Sequence, residues 1–341
     1  MDLIEEVLSL YFERTDFCVV TPITTGLINS TYRINLGIHQ FILQSINTDV
    51  FPEPEIIISN TLAISNFLTT KDYPKHCIKI RPNLNGFYLT FSGGKIWRMT
   101  EFVSDSKEFE KVVSKEQAYQ AAKAISEFHY YLNDFPINRI SPSIKGFLDF
   151  KKRVDDFKLA LVNGNKTRIN EAKSLIEIIN NQLCLIEDYL KINFPDRVVH
   201  ADAKIGNFLF ENKNENNVLA IIDWDTILPG NFLCDFGDMV RTYANLKAED
   251  DATDGNIFSS ENYQALKEGF LFYTKNIITE EEFNAIDLTA QVVILVQAIR
   301  FLTDYLTNDT YYTINYETHN FDRTINQINL LKALNQYLCT N

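Results

Sequence analysis

Apolar positions in the first hundred residues come in short runs separated by turn-forming residues. "FCVVTPI" (17–23) and "TYRINL" (31–36) read as strands, and the Gly and Asn of "TTGLINS" between them mark a turn. "GIH" then turns the chain into "QFILQSI" (40–46). A helix is expected from about Pro54 to Phe67, with Pro near its start, where a missing N–H costs nothing. "HCIKIRP" and "GKIWRMTEFV" give two more strands with Gly and Asn clusters between them. Before all of these, Leu3, Ile4, Val7, Leu8 and Tyr11 fall on one face of an amphipathic helix. The expected product is an antiparallel sheet with one main helix.

After Ser104 the period changes. Helical spacing dominates at about 114–135, 147–163, 166–193, 232–246, 261–276, 280–306 and 320–338. The exception is "RVVHADAKIGNFLFENKNENNVLAIIDWD", where two apolar runs flank the polar turn "ENKNENN" and predict a hairpin among helices. "KAEDDATDGN" (247–256) reads as an acidic, mobile and solvated loop that includes Asp250, Asp251 and Asp254. The expected class is α+β and bilobal: a β-rich lobe over 1–103 and a mostly helical lobe over 104–341. A cleft between such lobes is the expected ligand site.

Charge narrows the partners. Lys and Arg total 32 against 45 Asp and Glu, a formal net charge of -13. That field repels phosphate backbones and anionic lipid, so neither nucleic acid nor a membrane surface is expected, and no obligate protein partner is evident. Cys18, Cys77, Cys184, Cys234 and Cys339 lack C-x-x-C spacing and suggest free thiols in a reducing compartment. The early acids of "MDLIEEVLSLYFER" are unlike a secretion signal, and no apolar run is judged to approach the ~20 residues of a membrane span. A cytoplasmic location is expected.

The chemistry concentrates in "HADAKIGN". Asp202, Lys204 and Asn207 follow His200 in the order H-x-D-x-K-x-x-N, that of a kinase catalytic loop. Phosphoryl transfer needs a carboxylate beside the attacking hydroxyl, a cation for the equatorial oxygens, and oxygen ligands that seat Mg²⁺ against the phosphates. One short loop carries all three residue types. "VLAIIDWD" adds Asp223 at a strand end, with Asp225 on the same face if the strand continues. "CDFGDM" contains Asp235-Phe236-Gly237, the triplet with which protein kinases hold magnesium. It comes twelve residues after Asp223, beyond Pro229 and Gly230, near the start of a helix. There Asp235 and Asp238 suit a helix N-terminus, and Asp223 is the expected metal ligand.

"HADAKIGNFLF", "IIDWDTILPG" and "CDFGDMVR" together resemble the aminoglycoside phosphotransferase / choline kinase family, which is protein-kinase-like in fold. "TTGLINSTYRI" and "FILQSINTDVF" are most similar to its N-acetylhexosamine 1-kinase branch. The resemblance runs from about Gly26 to Tyr311. It implies Asp202 as catalytic base with Lys204 beside it, and Asn207 and Asp223 as Mg²⁺ ligands. It further implies that "TGLINST" (25–31) takes the place of the phosphate-covering loop, that Asn29, Ser30, Thr31 and Gln44 contact ATP, that Glu101 to Val103 form the adenine hinge, and that Arg300 and Tyr311 contact the sugar.

Two positions depart from that family's pattern. Its loop reads H-G-D, whereas Ala201 stands here, a minor change if the backbone φ is negative. The strand that presents an ATP-binding Lys presents Gln44, leaving Lys204 and the metal, or a cation such as Arg33, to make up the charge. Bland roles compete throughout: His200 as scaffold, Trp224 as core rather than sugar platform, Lys204 as a surface charge, Arg300 in an i,i+4 pair with Asp304. The function implied is an ATP- and Mg²⁺-dependent kinase for the anomeric hydroxyl of an N-acetylhexosamine. The alternatives are a kinase for aminoglycosides, choline or another amino alcohol, or a nucleotide-binding pseudoenzyme. A protein kinase is disfavoured, because no A-P-E segment follows Asp223 and "TILPGNF" is too short to dock a polypeptide.

Overall fold

A computed structural model describes residues 3–24 and 28–340. The elements in chain order begin with α1 (Leu3–Ser9), β1 (Cys18–Ile23), β2 (Ser30–Leu36), β3 (His39–Ile46) and α2 (Pro54–Thr70). Then come β4 (Ile80–Arg81), β5 (Thr90–Ser92), β6 (Lys95–Glu101), β7 (Ser106–Lys107) and α3 (Lys115–Tyr131). After α4 (Phe150–Asn163), α5 (Lys166–Glu171) and α6 (Lys173–Tyr189) the chain returns to strands β8 (Arg197–Val199), β9 (Phe208–Glu211), β10 (Asn214–Ile221) and β11 (Leu228–Gly230). It ends in α7 (Leu233–Tyr243), α8 (Ser260–Thr274), α9 (Glu280–Asn284), α10 (Ile286–Leu306) and α11 (His319–Thr340). Two compact units result. One holds residues up to Glu108 with Tyr131–Lys145 and Asn207–Pro229; the other holds Phe109–Tyr130, Gly146–Gly206 and the chain from Gly230 onward.

In the first unit an antiparallel sheet runs in the order β1-β2-β3-β6-β4, with β5 also paired to β6. The period of two along each strand divides its faces. Leu43, Trp97 and Met99 bury against Val7 and Leu8 of α1 and Tyr11 just beyond it, so Gln44 and Arg98 belong to the opposite face. Register aligns Thr31 with Gln44 and Gln44 with Arg98, a row of three polar residues across β2, β3 and β6. The helix α2 follows, and its buried Asn60 donates to the carbonyls of Ser141 (2.7 Å) and Ile227 (3.2 Å). The hairpin β9–β10 belongs to this unit as well. It pairs with β7, and its outer strand takes a bridge from His76 and a bond from Lys75 Nζ to the Val218 carbonyl.

The second unit is helical, with α10 packed among α4, α6, α7 and α11. Gly237 is what lets α7 cross α10: a Cβ there would sit 2.7 Å from Val293 Cγ2 and 3.2 Å from the Thr289 carbonyl. The glycine of the Asp-Phe-Gly triplet is thus a packing residue.

Several expectations are corrected. "HCIKIRP" forms only the two-residue strand β4, while β5 arises where none was expected. The run 166–193 breaks at Ala172, and 280–306 breaks at Ala285 after a capping box in which Thr279 and Glu282 bond reciprocally. The hairpin turn is shorter than "ENKNENN", because Asn214 onward is already strand. At 21 residues, α10 is long and apolar enough to cross a membrane, contrary to the sequence reading, yet most of its apolar side chains are buried within the protein. The acidic loop is also tied down: Glu249 pairs with Arg241 (2.8 Å), and Asn326 donates to the carbonyls of Ala248 and Asp251.

The α7–α10 crossing yields a test. Gly237→Ala is expected to destabilise the fold by about 1–3 kcal/mol through overpacking. Equilibrium denaturation measures it, and an unshifted midpoint would mean that the two helices have room to spare.

Candidate active site

In the second unit, β8 delivers His200, Ala201 and Asp202. His200 is fully buried, and its Nδ1 accepts from the Asp202 N–H at 3.3 Å, a scaffold role. Ala201 has φ +64°, in the left-handed region that disfavours a Cβ, so the condition under which its methyl would be harmless does not hold. The conformation is held by Asp235 of α7, whose carboxylate accepts from the N–H of His200 (2.9 Å) and of Ala201 (2.7 Å). His129 Nε2 lies 3.1 Å from the same carboxylate. Asp235 therefore braces the loop from beneath; it was expected to serve only as a helix-terminal charge. On the loop's far side Tyr243 donates to the Ala203 carbonyl (2.9 Å), and Lys204 Nζ bonds Asp202 Oδ2 (2.8 Å).

Two cavities open in this unit. One of about 60 Å³ is lined by Ala201, Asp238, Arg241, Phe147, Gln297 and Arg300. The other, about 360 Å³, is lined by Arg153, Arg300, Thr303, Asp304, Tyr311 and Tyr312 among others. Arg300 belongs to both walls. Its guanidinium carbon lies 5.5 Å from the Phe147 ring, 5.8 Å from Tyr311 and 5.5 Å from Tyr312, and Nη1 donates to Gln297 Oε1 at 3.1 Å. The i,i+4 pair with Asp304 does not form. Asp304 instead accepts from the N–H groups of Tyr311 and Tyr312 and from Asn320 Nδ2, so no carboxylate pairs with Arg300 among the described residues.

Asp238 was missed as a site residue. Burial drives its carboxyl above the ordinary aspartate range; Arg241 opposes that shift and the charge of Asp202 adds to it. One oxygen bonds Arg241 at 2.9 Å, and the other, Oδ2, has no partner among the described residues. The signal was present in the sequence, since Asp238 lies three residues past Asp235, on nearly the same helix face.

In the first unit, Asn207 is buried at the end of a 3₁₀ turn, and its carbonyl accepts from the Ile222 N–H at 2.8 Å, joining it to the segment that carries Asp223. Strand β10 stops at Ile221. Asp223 sits at φ +62°, which aspartate tolerates better than most residues. The chain then enters a 3₁₀ turn, Trp224–Thr226, so Asp225 is not on a continuing strand. It is buried, pairs with both terminal nitrogens of Arg98 (2.5 and 2.9 Å), and accepts from Asn29 Nδ2 at 3.0 Å. Trp224 is core, with Nε1 bonded to the Ile221 carbonyl. An amide and a carboxylate oxygen are hard donors of the kind magnesium takes, with phosphates and water completing the shell. No cluster of three His, Cys, Asp or Glu suited to a metal occurs among the described residues.

Of the expected nucleotide contacts, Ser30 is exposed at the head of β2, and Thr31 Oγ1 accepts from Gln44 Nε2 at 3.2 Å. Glu101 ends β6, with its N–H on the Lys79 carbonyl, and the Val103 carbonyl accepts from Ser106. The Thr25, Gly26 and Leu27 part of the expected phosphate-covering loop lies outside the described residues. Arg33 is turned toward Gln40 (3.0 Å) and the Phe102 ring, not toward Gln44.

A β-sheet region with a helical remainder, a kinase-ordered catalytic loop and a DWD segment define a phosphotransferase of protein-kinase-like fold. The phosphotransferase enzyme family (APH) matches residues 19–268, well over half of the sequence, and the chain belongs to that family. Solved structures of similar fold include a microcompartment-associated aminopropanol kinase (15% identity, 99% of this chain and 97% of that one, TM-score 0.67). A spectinomycin phosphotransferase in complex with ADP and spectinomycin is similar too (14%, 98% and 98%, TM-score 0.65). So is a choline kinase from Cryptosporidium parvum (14%, 95% and 92%, TM-score 0.55).

The strain at position 201 is testable. A left-handed alanine costs about 1–2 kcal/mol, of which the extra chain entropy of glycine takes back roughly 0.5–1. Ala201→Gly is therefore expected to stabilise the protein by about 0.5–1 kcal/mol. A lowered thermal midpoint would contradict the left-handed conformation.

Proposed function

We propose that this phosphotransferase moves the γ-phosphoryl group of ATP onto a hydroxyl of a neutral sugar, the anomeric hydroxyl of an N-acetylhexosamine. Asp202 orients that hydroxyl and takes its proton as the new O–P bond forms. The bond from the γ-phosphorus to the bridging oxygen breaks, and ADP leaves with that oxygen. Lys204 contributes positive charge at the transferring group, and Asn207 and Asp223 hold Mg²⁺. The metal neutralises charge on the phosphates when bound. Asn29, Ser30, Thr31 and Gln44, with the Glu101 to Val103 hinge, serve the nucleotide. This divides the chain at about residue 103 into nucleotide-binding and catalytic parts. A cytoplasmic location fits the same reading, since all five cysteines are free.

The observation that carries the acceptor class is Arg300. It has no carboxylate partner among the described residues, and it lines a cavity together with Ala201, the neighbour of Asp202. A guanidinium left unneutralised there repels an ammonium group and donates to hydroxyl or acetamido oxygens. Asp238 Oδ2 and Gln297 supply acceptors on the same wall. A hydroxyl or acetamido group uses donors and acceptors together, whereas an ammonium group uses acceptors alone. Tyr311, more than half exposed beside Arg300, offers a ring face.

The second reading is an aminoglycoside, choline or other amino-alcohol kinase. It draws on the unpartnered Asp238 oxygen and on the acceptors named for the similar structures. Measuring ADP release across N-acetylhexosamines, hexoses, choline, aminopropanol and aminoglycosides, with and without Mg²⁺, separates the two; turnover confined to the amines would end the sugar reading. Asp202→Asn is expected to lower kcat by at least ~10²-fold with nucleotide affinity retained, and near-normal turnover would remove Asp202 as the base. For Arg300→Ala, the expected outcome is a sugar KM raised about tenfold, as for one lost charged hydrogen bond, with the ATP KM unchanged. An unaltered sugar KM would take Arg300 out of the acceptor site.

A further inference from the structure

The ATP-dependent reading leaves a charge unaccounted for. Where β3 of a protein kinase presents a lysine, paired with a glutamate of the following helix, this chain has Gln44. The partner is missing as well: α2 carries no acid beyond Glu55 in its first turn. Both halves of the ion pair are absent from their usual elements.

An ion pair stands one strand over. Arg98 on β6 is the direct cross-strand neighbour of Gln44. Its Nε and Nη2 donate to Gln44 Oε1 at 3.0 and 2.8 Å. Nη1 and Nη2 grip the two oxygens of Asp225 at 2.5 and 2.9 Å. Four of the five guanidinium hydrogens are thereby used, and the remaining one on Nη1 has no partner among the described residues. The side chains of Arg98 and Asp225 are 7% and 3% exposed. Burial alone would depress the guanidinium, but the charge and bonds of Asp225, and more weakly the charge of Asp223, outweigh it and raise its pKa. Arg98 is therefore a fixed, permanent cation that feels the expected metal carboxylate.

The same pair reaches the phosphate-covering segment. Asn29 donates to Asp225 Oδ2 and accepts from the Asn47 N–H at 3.0 Å, while Gln44 Nε2 bonds Thr31. Residues 29, 31, 44, 98 and 225 form one connected network. Asn60 ties α2 to the end of the DWD turn through the Ile227 carbonyl.

We infer that the Arg98–Asp225 pair takes over the task of the missing lysine and glutamate: Arg98 is a positioning residue whose charge and bonds orient the nucleotide's phosphates, with Gln44 aligning its guanidinium. This rests on the ATP-dependent reading above. Arg33 and Lys204, the cations weighed from sequence, are engaged elsewhere, with Gln40 and with Asp202.

The test separates phosphate from base. Dissociation constants for Mg²⁺-ADP and for adenosine are measured calorimetrically on the full chain. Arg98→Gln is expected to weaken ADP at least ~10-fold and adenosine less than about twofold, the scale of losing charged hydrogen bonds. Adding Gln44→Lys to that variant should regain roughly threefold or more for ADP. In turnover, the KM for ATP should rise while that of the acceptor holds. If Arg98→Gln does not fold, Gln44→Leu leaves the ion pair intact and removes its alignment together with the Thr31 bond; ADP should then weaken about three- to tenfold, and more than in Thr31→Val, which removes the Thr31 bond alone. Equal losses for ADP and adenosine, or unchanged ADP affinity in the folded variant, would overturn the inference. Wild-type protein that binds no ADP would overturn the ATP-dependent reading itself, and this inference with it.

Discussion

A buried carboxylate holds the catalytic loop in a conformation that the loop's own sequence resists. Asp235 is fully buried, a placement that is costly unless hydrogen bonds replace the lost water. They come from two consecutive backbone N–H groups, those of His200 and Ala201, which anchor the chain just ahead of the Ala201 Cα. Ala201 turns to a positive φ immediately after those two donors. A left-handed alanine at a functional loop persists because its surroundings over-determine it. The surroundings are specific: His129 stands beside Asp235 and packs edge-on against Phe232, and Gly237 seats α7 on α10. Since α10 carries Arg300, one helix crossing connects that loop to the wall of the cavity proposed for the acceptor.

The first unit repeats the device with a different partner. Asp225 is also buried and also fully engaged, but by a guanidinium and an amide instead of backbone. A buried ion pair is weak evidence for stability, because desolvating two charges offsets most of their attraction. Its value lies in fixing geometry. The bidentate fork sets the orientation of Asp225, and with it the turn that follows Asp223, more tightly than a lysine ammonium could. Ser143 bonds the Asp225 carbonyl from a second direction, so both ends of that residue are held.

Much of this was legible in the sequence, and what escaped did so for identifiable reasons. The strands β1, β2, β3 and β6 and the helix α2 were readable because period and punctuation agreed. The order of Asp202, Lys204, Asn207 and Asp223 could be read because chemistry constrains residue types at short spacing along one chain. Arg98 was not. It sits between Trp97 and Met99 in an ordinary strand, and only the cross-strand register makes it the neighbour of Gln44; register is a tertiary fact. Ala201 was misjudged for a related reason, since the backbone leading into it is anchored by Asp235, thirty-four residues away. Arg300 was visible as a charge in an apolar helix, but the rival pairing with Asp304 could be dismissed only once the N–H groups of Tyr311 and Tyr312 were found on that carboxylate.

Charge placement makes the acceptor argument stronger than a residue count would. The chain carries a formal net charge of -13, so its mean field favours cations. A site evolved for an amine could exploit that field by leaving carboxylates open. Of the carboxylates lining the two cavities, Asp304 is taken by three N–H donors and Asp156 by Lys152, while Asp238 keeps one oxygen without a partner among the described residues. The guanidinium groups are less fully used. Arg153 Nη2 bonds the Gly146 carbonyl and Nη1 lies 4.0 Å from Asp156, but its Nε is buried without a partner among the described residues, burial and the charge of Arg300 both lower its pKa, and among those residues Arg300 donates to a neutral amide alone. Two cations close enough to disfavour each other, inside an otherwise acidic protein, give the wall a surplus of hydrogen-bond donors that the global field does not explain. Oxygen-rich, uncharged ligands satisfy such donors without adding a third positive charge.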